Sequence, residues 1–252
     1  MARRIAELTT ESLRALLGTH AVVALIPMGS VEPHGPHLPL GTDTVISEAA
    51  ILRAASILEG QPGRPIAALL GPAIPYGVTC FAEGFAGAIS VSAGALTAFA
   101  RAVVDGYLAS GFSHVCLVNN HLEPAHDAAV RAAATGFAAG RVSVACPLSR
   151  RWGRTLSPEF KSGACHAGRY ETSLVLAAAP ETVNTAAASA LPDLAVSLSD
   201  GIKAGQTSFL AMGLDQAYTG APARASAEEG AELLGRLGTM IASEVLESLA
   251  AL

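Results

Sequence analysis

The chain has 252 residues, 51% of them hydrophobic and only 15% charged, with a formal net charge of −5. Enough apolar surface can be buried to offset chain entropy, which excludes intrinsic disorder, while no apolar stretch is long enough to cross about 30 Å of hydrocarbon. A slightly acidic balance with no basic block excludes the usual electrostatic footprint for nucleic acid or an anionic membrane and leaves a small-molecule substrate as the expectation. Arg3 and Arg4 are followed by Glu7 and Glu11 rather than by an apolar signal core, so a cytoplasmic protein is expected. In chain order, strands are expected at Ala21 to Ile26, Ile66 to Leu70, Ala88 to Val91, His114 to Val118 and Val142 to Cys146. Helices are expected from Thr44 to Glu59, Ala93 to Ser110, Pro124 to Ala139, Tyr170 to Ala178 and Ala227 to Leu249. Alternation of this kind predicts an α/β fold, doubly wound, with a mostly parallel sheet and helices on both faces. Gly60 to Pro65 reads as a turn rather than a boundary, so a single domain is expected over residues 1–252. Leu191 to Pro222 has weak periodicity and is expected to be irregular, serving as a lid or an oligomer contact.

Ligands of such a sheet sit at the C-terminal ends of the strands. After the first strand, Pro33, Pro36 and Pro39 forbid regular helix and stiffen the loop that carries Glu32, His34, His37 and Asp43. Capping of the next helix by Thr42 or Asp43 is the plain alternative, but four such groups on one rigid loop point to a metal. Asn119-Asn120-His121-Leu122-Glu123-Pro124 follows the strand at Val115 to Val118, with Pro124 placed to start a helix. His126, nearly one helical turn beyond Glu123, could ligate by spacing alone but is expected to be solvated or to stand behind a ligand. A third cluster, Cys165-His166-Ala167-Gly168-Arg169-Tyr170-Glu171, leads into an apolar helix. There Gly168 is expected to allow a tight turn, and the His166 imidazole suits proton transfer near neutral pH.

The first two clusters supply nitrogen and oxygen donors and no thiolate, a set that suits Zn2+, Mn2+ or a related divalent ion. Five donors exceed one tetrahedral zinc, so two ions sharing a bridging carboxylate are expected, a site able to acidify water and polarise a carbonyl. Cys80, Cys116, Cys146 and Cys165 form no CxxC pair and predict neither a zinc knuckle nor a disulfide framework. The Gly29 to Gly41 loop lacks the GKS or GKT ending of a phosphate loop, which argues against a nucleotide-binding module. A surface so poor in charge also predicts association with copies of the same chain.

Three stretches together resemble the creatininase family of metal-dependent amidohydrolases: Gly29-Ser30-Val31-Glu32-Pro33-His34-Gly35-Pro36-His37-Leu38-Pro39 with Thr42-Asp43, then Asn120-His121-Leu122-Glu123, then His166-Ala167-Gly168 with Glu171-Thr172-Ser173. The resemblance runs from about residue 10 to the final helix. It implies a binuclear site in which Glu32, Asp43 and His121 hold one ion and His34, Asp43 and Glu123 hold the other, with Asp43 bridging. By the same resemblance His166 passes a proton to the leaving nitrogen and Glu171 sits in or beside the pocket, giving His166, Glu123 and Glu171 as the catalytic set. A homohexamer is the family's usual assembly. The implied reaction is hydrolysis of a small cyclic amide or formamide, a carbon–nitrogen bond other than a peptide bond. The alternatives are trimming of a short peptide precursor and hydrolysis of a cyclic carbonyl compound. Ser162-Gly163-Ala164-Cys165 lacks the acidic and aromatic neighbours expected of creatinine-hydrolysing members, which weighs against creatinine, and Trp152 is the one tryptophan available to close the pocket.

Overall fold

The computed structural model describes residues 3–63 and 65–252; Arg64, in the turn expected at Gly60 to Pro65, lies outside them. In chain order the elements begin with β1 (Arg3–Arg4), α1 (Thr10–Thr19), β2 (Ala21–Met28), α2 (Thr42–Glu59), β3 (Ile66–Leu70) and α3 (Ala93–Ala109). They continue with β4 (His114–Asn119), α4 (Pro124–Ala133), β5 (Val142–Ala145), α5 (Arg150–Gly153) and α6 (Pro158–Ser162). Last come α7 (Arg169–Ala178), α8 (Thr185–Ala190), α9 (Leu198–Lys203) and α10 (Ala227–Leu249). The strands pair in parallel in the order β1-β3-β2-β4-β5.

All eight residues of β2 are buried, because a central parallel strand is covered on both faces. Its side chains alternate: Val23 and Leu25 pack with residues of α2, α7 and α10, while Val22, Ala24, Ile26 and Met28 pack with residues of α1, α3 and α4. These two cores make the fold doubly wound. Gly230 lets α10 lie directly on α7, since a Cβ there would overlap the Ser173 carbonyl. None of the described helices is long and apolar enough to cross a membrane.

Two expectations need correction. Ala88 to Val91 is not a strand; only Ile89 bridges Val31, and a segment this exposed has no neighbouring strand to extend the pairing. The helix expected to reach Ala139 ends at Ala133, shortly before Gly136 turns the backbone at φ 79°. Leu191 to Pro222 is mostly irregular, as expected, and Phe209, Met212, Leu214 and Ala217 within it form a small core with Ala82. The four cysteines are free thiols.

Strand order decides where a site forms. From β2 the chain crosses to β3 on one side, and β4 lies on the other, so the crevice at this reversal opens beyond the carboxyl ends of β2 and β4. Met28 and Asn119, the last residues of those strands, stand in register, and both polar loops therefore leave the sheet side by side.

Candidate metal centre

Four side chains from these loops meet below the surface. Glu32, His34, Asp43 and His121 are each no more than 3% exposed. Asp43 lies in the first turn of α2 but does not cap it; the N-cap is Gly41, without a side-chain bond, and Asp43 Oδ2 accepts instead from the Ser30 amide at 3.2 Å. Its two oxygens face different imidazoles, Oδ1 at 3.3 Å from His34 Nε2 and Oδ2 at 3.1 Å from His121 Nδ1. That is the disposition of a bridging carboxylate. Glu32 Oε1 lies 3.2 Å from His121 Nδ1 and 3.7 Å from His34 Nε2.

When these rings are neutral, the nitrogens that face the carboxylate oxygens are the ones without a proton. His34 Nδ1 donates to the Glu32 carbonyl at 3.1 Å and His121 Nε2 donates to the Val78 carbonyl at 2.7 Å, so in the neutral rings Nε2 of His34 and Nδ1 of His121 carry lone pairs. His34 Nε2 is buried with no hydrogen-bond partner. A buried lone pair aimed at carboxylates is unfavourable unless a proton or a cation lies between them. Donors bound at about 2.0–2.2 Å around one tetrahedral ion stand about 3.3–3.6 Å apart, close to the separations here. The residues fit divalent ions, and three overlapping groups can hold one: Glu32, Asp43 and His121; His34, Asp43 and Glu171; and Glu32, His34 and His166.

Electrostatics follow from this crowding. Burial pushes the His34 imidazole down, but Asp43, Glu171 and Glu32 outweigh it and raise it to about 10. His121 is likewise driven well above its ordinary value against its burial by Glu32 and Asp43. Burial raises Glu32, yet His121 brings it down to about 2, and Asp43 is lowered by His121 and His34 in the same way. Glu171, pushed up to about 8 by burial and by Asp43, is the carboxyl in this group that holds a proton most readily.

The 78–81 segment braces the centre from outside. Thr79 Oγ1 donates to Glu32 Oε2, and the Val78 amide donates to His126 Nδ1 at 3.3 Å while its carbonyl accepts from His121. His126 is fully buried and packs edge-on against His121, with ring centroids 4.6 Å apart, so it supports a ligand rather than joining the groups above. No sequence pattern marked Thr79, because its role depends on a contact 47 positions away. His37 turns away from the centre and bonds Thr172 Oγ1 at 2.8 Å.

Glu123 lines the cavity beside the centre but is held by backbone amides. Its carboxylate accepts from the Cys80 and Phe81 amides at 3.1 and 3.2 Å and belongs to none of the three groups, whereas Glu171 faces His34 Nε2 at 3.6 Å. The cause is local: Pro124 begins α4 and leaves Glu123 extended at the N-cap, beside two amides that need an acceptor. Both Glu123 and Glu171 line the same cavity.

His166 lies against the centre, 7% exposed, with Nε2 donating to the Pro33 carbonyl at 3.0 Å. Its Nδ1 is thereby left facing Glu32 Oε1 at 3.9 Å. The ring is held between His34 and Phe209, with centroids 4.5 and 4.4 Å away. Burial and His34 push this imidazole down to about 4. The tight turn after it is made by Ala167, at φ 51°, and not by Gly168; Gly168 is required because a Cβ would strike the Thr219 carbonyl and Glu159. Trp152 does not line the cavity: its Nε1 donates to Glu244 on α10 at 2.5 Å.

Beside the centre opens a cavity of about 530 Å³, lined by Glu32, Asp43, His121 and His166 and by residues of α5, α6 and α9. Comparison with known proteins agrees with this architecture. Residues 6–245 match the family model for creatininase, creatinine amidohydrolase. The fold superposes on solved structures described as "Creatininase Mn" (TM-score 0.73, 20% identity, 99% of each chain) and as creatinine amidohydrolase (TM-score 0.74, 20% identity, 98% of each chain). Curated relatives are the mycofactocin precursor peptide peptidases of Mycobacterium ulcerans, 36% identical over 72% of this chain and 68% of that protein, and of Mycobacterium tuberculosis, 36% identical over 64% and 60%. Peptidases among the relatives overturn the expectation of a carbon–nitrogen bond other than a peptide bond. With a family model spanning nearly the whole chain and the fold in agreement, the chain belongs to the creatininase family.

Proposed function

We propose that this chain is a metal-dependent peptidase that hydrolyses an amide bond in a short peptide, as the names of its relatives at 36% identity indicate for those proteins. The observation that carries the reading is Asp43, whose two oxygens serve two sets of donors at the floor of a cavity where His166 also lies. Glu32, Asp43 and His121 would hold one ion; His34 and Asp43 would hold the second, with Glu171 and Glu123 the carboxylates beside it. Ions bound there would supply an acidified water and a polarised carbonyl oxygen.

The chain's own residues do the rest. The cavity walls hold the peptide over the centre and exclude bulk water. His166 Nδ1, bare because Nε2 is committed to Pro33, accepts the proton released on attack and returns it to the departing amine. Phe209 and His34 keep its ring from rotating. We also propose a homo-oligomer, hexameric by family likeness, supported by large apolar side chains left exposed at Tyr76, Ile89 and Phe99. Light scattering tests it, and a stable monomer refutes it.

The test of function is metal analysis of the purified chain followed by mass spectrometry of short peptides incubated with it. About two divalent ions per chain and chelator-sensitive cleavage are expected. A metal-loaded chain that cleaves no peptide refutes the reading.

A further inference from the structure

The cavity lining carries both signs of charge. Its carboxylates, Glu32, Asp43, Glu123 and Glu171, belong to or adjoin the metal centre. The same lining carries Arg150, Arg154, Lys161 and Lys203, four of the chain's 16 Lys and Arg residues. Arg151 is bound to Glu247 and Lys203 to Asp200, but Arg150, Arg154 and Lys161 have no carboxylate partner among the described residues. Glu159, the acid nearest in sequence, turns inward to the Tyr170 and Ala221 amides at 2.8 and 2.7 Å and leaves Lys161 free. Three cations that no carboxylate of the described residues holds thus line one cavity, in a chain of net charge −5. Leu148, Leu198 and Ile202 line the wall among them and offer contact to an aliphatic or aromatic side chain.

We infer that Arg150, Arg154 and Lys161 form a subsite for a carboxylate of the substrate, so that the preferred peptide bears an anionic group beyond the bond held over the metal centre. The inference rests on the peptidase reading and names its substrate class. Arginine guanidinium matches a carboxylate in two-point geometry, and the peptide carboxylate comes either from a free C-terminus or from an Asp or Glu side chain.

Three peptides of one sequence distinguish these sources: one with a free C-terminal carboxylate, one C-terminally amidated, and one amidated with Glu at an adjacent position. With the metal-loaded full chain, one of the two anionic peptides is expected to exceed the neutral one in kcat/KM by about tenfold at low salt. The gain lies in KM and shrinks as salt screens it. The double variant Arg150→Gln, Arg154→Gln brings that ratio towards one. Equal turnover of all three peptides, or a ratio the double variant leaves unchanged, overturns the subsite. If no peptide is cleaved, the peptidase reading fails by itself, and the subsite is judged by calorimetric binding of the same three peptides with the same expected ratio.

Discussion

Replacing Thr79 by Val keeps the shape of a residue only 1% exposed and removes one hydroxyl, the one that donates to Glu32 Oε2. Glu32 is buried, and its other oxygen is turned towards His121, so no solvent and no second donor from Thr79 can replace the lost bond. A hydrogen bond to a charged group contributes about 1.5–3 kcal/mol, and loss of a group that orients a ligand lowers metal affinity by about 10- to 100-fold. The two figures agree, since tenfold corresponds to about 1.4 kcal/mol. Competition against a chromogenic chelator should show that weakening in the Val variant, whereas Thr79→Ser, which keeps the hydroxyl and loses a methyl, should stay close to wild type. If Val binds metal as tightly as Thr, or Ser is as weak as Val, the bracing role assigned to the hydroxyl is wrong.

Asp43→Ala should lose both ions, because both donor sets share that carboxylate, while His166→Ala should keep metal and lose turnover; elemental analysis beside a peptide assay separates the two. His114, bonded to the Gly140 carbonyl and Ser143, is pushed down to about 4 by burial and by Arg141. Because the unfolded chain takes up that proton near pH 6.5, stability should fall as pH drops from about 6.5 to about 4, by roughly 3 kcal/mol from this group. Urea unfolding of the metal-free chain should show a shallower fall for His114→Asn, and identical slopes would count against the assignment. Gly230→Ala should cost more than about 2 kcal/mol by forcing α10 off the Ser173 carbonyl, whereas Gly235→Ala, which meets nothing within 4 Å, should gain up to about 1 kcal/mol in helix propensity. Equal urea midpoints for the two would refute the packing argument.

What the chain determined by itself was local. The uninterrupted apolar run of β2 reads as a strand buried on both faces, and the three prolines after it read as a rigid loop carrying Glu32, His34 and Asp43. The period of α10 is equally legible, from Ala227 to Leu249. In each case the signal lies within a few residues. Tertiary structure decided what depends on elements distant in sequence. It set Thr79 against Glu32, Phe209 against His166, and His126 behind His121. It also turned Glu123 onto the 80–81 amides and faced Glu171 towards His34, and it took Trp152 away from the cavity to α10. The physical reason is that residue type fixes which atoms can donate or coordinate, whereas the direction in which they point follows from the order of the strands and the loops that order brings together.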